Sequence, residues 1–162
     1  IASSSQQILI YRPLVPIHSL RRLHVIVPPR GEFDPGLKHW CRRIATLAEQ
    51  TACRVSVYGE ERTLRAVEGA WQAERRSLSA DFHKFTPAEG LAGVAARTRP
   101  DHMAVFVLAR RGMPSYHRRL EDIPGQLERY FSARSWMLIV PAALGSSSSS
   151  ADGRNALTLS DR

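Results

Sequence analysis

The sequence predicts an α/β domain built as a doubly wound, five-stranded parallel sheet with helices on both faces. Three observations predict it. Five short β-rich runs recur along the chain. Each consecutive pair is separated by a stretch whose apolar residues return at offsets of three and four, the helical period. Strands separated by helices cannot be hairpins; crossover connections make them parallel, and a parallel sheet needs helices on both faces.

The elements follow in order. Ile8–Ile17, "ILIYRPLVPI", is apolar but carries Pro13 and Pro16. Proline has no N–H to give a ladder, so the segment is an edge strand or an extended linker. Its apolar residues need cover, for which a second copy of the chain is the expected source. Leu23–Val27 is the first core strand, with the unbroken apolar character of a strand covered on both faces. Asp34 and Pro35 supply a cap and a first helical residue. Leu37, Trp40, Cys41, Ile44, Leu47 and Ala48 then mark an amphipathic helix. Cys53–Tyr58 is the second core strand. A helix from Glu60 to about Arg76 carries Leu64, Val67 and Trp71. Ala80–Phe85 is a weaker strand, and a helix begins near Pro87 with Leu91, Val94 and Ala95 inward. Met103–Ala109 is the clearest strand. Leu120, Ile123, Leu127, Tyr130 and Phe131 mark a fourth helix, interrupted near Pro124-Gly125. Trp136–Val140 is the last strand, stopped by Pro141. This divides the chain into an extended lead (1–22), the α/β domain (23–141) and a low-complexity, disordered Ser-rich tail (142–162).

Composition narrows the class. With 162 residues, the chain suffices for one domain with a real core. It opens on Ile, as expected of a piece of a longer or processed protein. No apolar run approaches the roughly 18 residues of a membrane span, and there is no signal-peptide pattern. Cys41 and Cys53 read as small core residues in a reducing compartment. The net charge is +8, and only Lys38 and Lys84 among the 23 basic residues are lysine. Arginine forks onto phosphate, so an anionic partner is one reading; a GC-rich genome or an anionic membrane face are others. Specific nucleic-acid binding is not expected, because aromatics and basic residues do not interleave and no helix-turn-helix or zinc unit is present. The six histidines lack metal-ligand spacing. Catalytic signatures are missing too: there is no G-x-S-x-G elbow and no Walker loop.

Three stretches carry a resemblance: Ile8–Pro16, Leu23–Val55 and Val105–Phe131 ("VFVLARRGMPSYHRRLEDIPGQLERYF"). They resemble the cytoplasmic, universal-stress-protein-like C-terminal domain of bacterial cation:proton antiporters of the sodium/hydrogen exchanger type. The resemblance implies the strand order 3-2-1-4-5 and a non-catalytic regulatory or assembly module. It also implies a membrane transport domain upstream in the same polypeptide, a place at the cytoplasmic face of the bacterial inner membrane, and a homodimer.

Open α/β sheets bind ligands beyond the carboxyl ends of their strands, where the order reverses. In the implied order that point lies between Pro28–Phe33 and Ala109–Tyr116. Stress proteins that bind ATP carry G-x2-G-x9-G-[ST] there, and Gly112 and Gly125 fill the first and third glycine positions. Ser115 and Gln126 stand where the second glycine and the final Ser/Thr belong. Pro28-Pro29 replaces the flexible, acid-bearing turn of those proteins. No cofactor is expected. The candidate anion or nucleotide cleft comprises Arg30, Arg110, Arg111, Gly112, Ser115 and Arg118. The competing reading pairs these arginines with Glu32, Glu121 or Asp122, or leaves them in solvent. A free-standing stress-protein-like domain binding ATP or a cyclic dinucleotide is the alternative function.

Overall fold

The structure, a computed structural model, describes residues 6–74, 79–85 and 90–143. Its strands are β1 (Ile8–Arg12), β2 (Arg22–Ile26), β3 (Arg54–Gly59), β4 (Ala80–Lys84), β5 (His102–Val107) and β6 (Ser135–Val140). Its helices are α1 (Leu37–Thr51), α2 (Glu61–Ala73), α3 (Gly90–Arg97) and α4 (Ile123–Phe131). The expected end of the second helix near Arg76, the expected start of the third at Pro87, and the Ser-rich tail from Leu144 onward lie outside the described residues.

The sheet has six strands, in the order β1-β6-β5-β2-β3-β4. The β2–β3, β2–β5, β3–β4 and β5–β6 pairs are parallel. β1 runs antiparallel to β6, with Ile10 opposite Leu138. The expected five-stranded, wholly parallel sheet is thus corrected to a six-stranded mixed one. The reason is local. Pro13 and Pro16 stop the first strand and turn the chain, so that Ile8–Arg12 lies along the free edge of β6 in the opposite sense. Behind the turn, Ser135 Oγ accepts the Leu14 N–H at 2.9 Å.

Alternation along the strands sends side chains to two cores. On one face Leu23, Val25, Val55, Val57, Met103 and Val105 pack under Trp40, Cys41 and Ile44 of α1 and Leu64, Val67 and Trp71 of α2. On the other, Ala104, Phe106 and Leu138 meet Val94 and Ala95 of α3 and Leu127 and Phe131 of α4. Phe106 and Phe131 pack edge to face, 5.4 Å between ring centres. Both cysteines are buried free thiols, and burial pushes Cys41 up to about 12, so it is inert at neutral pH.

Two helix starts differ from expectation. α1 begins at Leu37 behind Gly36 with no side-chain cap, because the Asp34 carboxylate is used elsewhere. Pro124 does not interrupt α4 but sits in its first turn, after a 3-10 turn at Arg118–Asp122; a proline there loses no helical hydrogen bond.

Candidate functional site

Beyond the carboxyl ends of β2 and β5 lies a cleft of roughly 890 Å³. One wall is the turn after β2, Pro28-Pro29-Arg30. The other is Pro114 to Leu120, after β5. The cleft falls where sheet topology places ligands, between strands whose connections run in opposite directions.

The turn after β2 is braced from below. Arg30 takes φ 64°, in the left-handed region, as the chain enters a 3-10 turn at Gly31–Phe33. Thr63 donates to Glu32 at 2.6 Å, Arg62 reaches the same carboxylate at 3.5 Å, and Arg62 also covers the Phe33 ring at 5.1 Å. Thus Glu32 holds α2 and not Arg30. Across the cleft, Asp34 receives both the hydroxyl and the main-chain N–H of Ser115. Both residues are buried. Burial raises the Asp34 pKa, and the two bonds from Ser115 oppose that rise. This pair clamps the loop before α1 to the loop after β5.

The six candidate residues separate into two groups. Arg30, Ser115 and Arg118 line the cleft, and Arg119 lines it beside them. Arg110, Arg111 and Gly112 do not. Arg110 Nε donates to the Pro141 carbonyl at 2.8 Å and its Nη2 to the Gln6 carbonyl at 2.6 Å, tying the start of β1 to the end of β6. Arg111 donates to Glu121 from Nε at 2.8 Å and Nη2 at 2.6 Å, and the Tyr116 hydroxyl shares that oxygen at 2.6 Å. These bonds hold the Glu121 carboxyl below its usual range, Tyr116 contributing first. Gly112 takes φ 86° in the intervening turn, a value suited to glycine. Gly125 lies inside α4, so the half-matched glycine pattern does not gather at one place.

A second cluster went unread in the sequence. On the α3–α4 face of the sheet, His24 is 5% exposed. Its Nδ1 lies 3.1 Å from the Tyr58 hydroxyl and its Nε2 3.0 Å from His102 Nδ1. His102 also bonds the Arg97 main chain, which needs a ring N–H on that side. Its Nδ1 is then the acceptor for His24 N–H, and His24 Nδ1 the acceptor for the Tyr58 O–H. His83 stacks on Tyr58 at 5.2 Å and Arg97 lies over the same ring at 5.6 Å. Arg22 donates to Ser56 at 2.5 Å and reaches Asp81 at 3.4 Å. Burial first, then the charges of His102, Arg22, Arg97 and His83, push His24 down to about 4. Burial also lowers His102. The signal available was parity: Arg22, His24 and Ile26 share one face of β2, but the register that brings His102 and Tyr58 alongside is not written in the spacing.

Among the described residues no cluster of His, Cys, Asp and Glu can hold a metal ion, and no helix is long and apolar enough to cross a membrane. Compared with protein-family profiles, curated proteins and solved structures, the chain has no significant match.

Proposed function

We propose that this chain is a non-catalytic regulatory and assembly domain of a bacterial membrane cation:proton antiporter, with a universal-stress-protein-like arrangement of β2 to β6. In this reading a transport domain precedes it in the same polypeptide. The domain then sits at the cytoplasmic face of the inner membrane and pairs with a second copy. The sequence resemblance motivates the family. The observation that carries the assembly role is the character of β1. Leu9, Ile10, Tyr11 and Leu14 are exposed by 37–52%, four of the five large apolar side chains exposed among the described residues. Leu9, Ile10 and Tyr11 lie on a free sheet edge and Leu14 in the turn just after it; the unpaired N–H and C=O groups of such an edge are a template for another strand. The opposite edge, β4, is guarded by Asp81, His83 and Lys84. An edge left apolar on one side and charged on the other suits pairing on one side only.

The regulatory role would follow from linkage: a partner or ligand that favours one arrangement of the paired domains biases the transport domain attached to them. The nucleotide-binding alternative has the cleft in its favour. Against it stand the prolines after β2 and the engagement of Arg110, Arg111 and Gly112 outside the cleft.

Two measurements test the proposal. The reading frame upstream of Ile1 is expected to encode roughly ten apolar spans of membrane length, and a start codon just before Ile1 removes the antiporter. Sedimentation of the wild-type chain is expected to show a dimer that Leu9→Lys/Tyr11→Lys converts to monomer; a monomeric wild type, or an unchanged dimer in the variant, removes the β1 pairing.

A further inference from the structure

We infer that the cleft beyond β2 and β5 binds an anionic amphiphile: a single phosphate or carboxylate head on an unbranched apolar tail. The inference goes beyond the assembly reading and stands on the cleft alone, whether or not a transport domain precedes the chain.

The head follows from the division of the arginines. Arg110 and Arg111 are held by the protein's own carbonyls and by Glu121. Arg30, Arg118 and Arg119 line the cleft, are exposed, and form no ion pair among the described residues. Arg118 acts on Glu121 through space without pairing with it; three guanidinium groups lining a cleft with no direct ion pair favour an anion, and their fork matches a phosphate or carboxylate. Arg30 adds an independent sign. It and Ala52 are the only non-glycine residues at positive φ among the described residues. Ala52 ends α1, where that conformation is ordinary. Arg30 ends no helix; its backbone is held in a costly region at the rim of a cleft, where such strain tends to collect.

The tail follows from the floor. Ile26, Leu91, Phe106 and Ile123 line the same cleft, Ile26 and Phe106 as partners near the carboxyl ends of β2 and β5. The hydroxyls along the wall are already used, Ser115 by Asp34 and Tyr116 by Glu121. Pro28 and Pro29 offer no N–H, and the Gly112 turn lies outside the cleft, so neither of these two turns gives a polyphosphate a backbone cradle. Glu60 and Asp122, the acids of the lining, disfavour a highly charged ligand more than a singly headed one. The size, roughly 890 Å³, is within the range of about 300–1,000 Å³ for small-molecule sites. The apolar side chains of the lining suit methylene groups better than a ribose.

The test is calorimetric titration of the chain with alkyl phosphates and alkanoates of six to twelve carbons, each below its micelle concentration. Binding is expected to tighten about fourfold per added methylene until the floor is filled. Arg118→Gln/Arg119→Gln, with its fold checked by circular dichroism, is expected to weaken decyl phosphate at least tenfold. Alkyl trimethylammonium of equal length should not compete. Co-sedimentation with phosphatidylglycerol vesicles then separates the sources. Binding that the arginine variant loses marks a membrane lipid, and binding of decyl phosphate without vesicle binding marks a free amphiphile. An affinity independent of chain length, an unchanged affinity in the folded arginine variant, or binding of ATP or a cyclic dinucleotide in preference to decyl phosphate overturns the inference.

Discussion

His24 Nε2 lies 3.0 Å from His102 Nδ1, one imidazole feeding the other beneath α3. The bond is possible only while one ring supplies a proton and the other a lone pair; two imidazolium rings would face each other with no acceptor between them. One protonated ring can still donate to the other, so the pH dependence comes from burial, which resists charge on His24, and from the positive groups around it. His24 is neutral in folded and unfolded chains above its ordinary pKa of 6.5. Below that, the unfolded chain takes up a proton that the folded chain refuses until about pH 4. Stability is therefore fully present above pH 6.5, falls as the pH drops from 6.5 to about 4, and levels off below. The slope from His24 reaches at most about 1.4 kcal/mol per pH unit, and the lowered pKa of His102 acts in the same direction. Urea midpoints at pH 7.5 and 5 measure it. His24→Gln, which keeps an amide donor and acceptor, is expected to flatten the dependence; an equally steep fall in that variant would show that other groups carry it.

Asp34 and Ser115 form the clamp between the two loops of the cleft. Ser115→Ala leaves a buried carboxylate short of a donor and is expected to cost about 1–3 kcal/mol. Asp34→Asn/Ser115→Ala is expected to lose less than the two single substitutions together, because the second change removes what the first left unpaired. Denaturant unfolding of the four chains closes the cycle. Additive losses would mean that the two residues act separately.

Arg110 joins the start of β1 to the end of β6 through two carbonyls. A lysine cannot span both with a rigid fork. Arg110→Lys is expected to lose about 1.4 kcal/mol of local stability, the scale of a charged hydrogen bond, so the amides of Ile8–Arg12 that bond β6 exchange about tenfold faster. Exchange within β2 and β5 should stay as it was. Uniform acceleration across the sheet would instead point to a global loss.

The elements of the fold were legible because they rest on local periodicity. The helical spacing from Leu37 to Ala48 and the runs at Leu23–Val27 and Met103–Ala109 announce themselves without tertiary information. What was not legible depends on partners distant in sequence. Asp34 followed by Pro35 reads as a cap by the local rule, yet the carboxylate bonds Ser115 across 81 positions of chain. Arg110 and Arg111 read as part of a basic loop, and only the return of β6 and the 3-10 turn at Arg118 determine what they meet. The direction of β1 was hidden for the same reason: prolines show where a strand stops, not which edge it joins. His24 was visible as a residue on a buried strand, but its partners depend on the register of β3 and β5.

Two glycines separate close approach from mere conformational freedom. A Cβ at Gly36 would lie 2.8 Å from Pro141 Cβ and 3.1 Å from both the Ala142 nitrogen and oxygen, where the chain leaving β6 passes the start of α1. The obstacles are a proline ring and backbone, neither of which can swing aside, so Gly36→Ala is expected to cost about 1–3 kcal/mol. Gly69 lies on the exposed side of α2 with nothing within 4 Å of the same added atom. There the glycine brings only the entropic cost of holding it in a helix, so Gly69→Ala is expected to stabilise by about 0.5–1 kcal/mol. Thermal unfolding of the two variants should move in opposite directions. If Gly36→Ala is neutral, the turn before α1 can shift away from Pro141 without loss, and the cleft wall that Asp34 anchors is softer than its buried bonds imply.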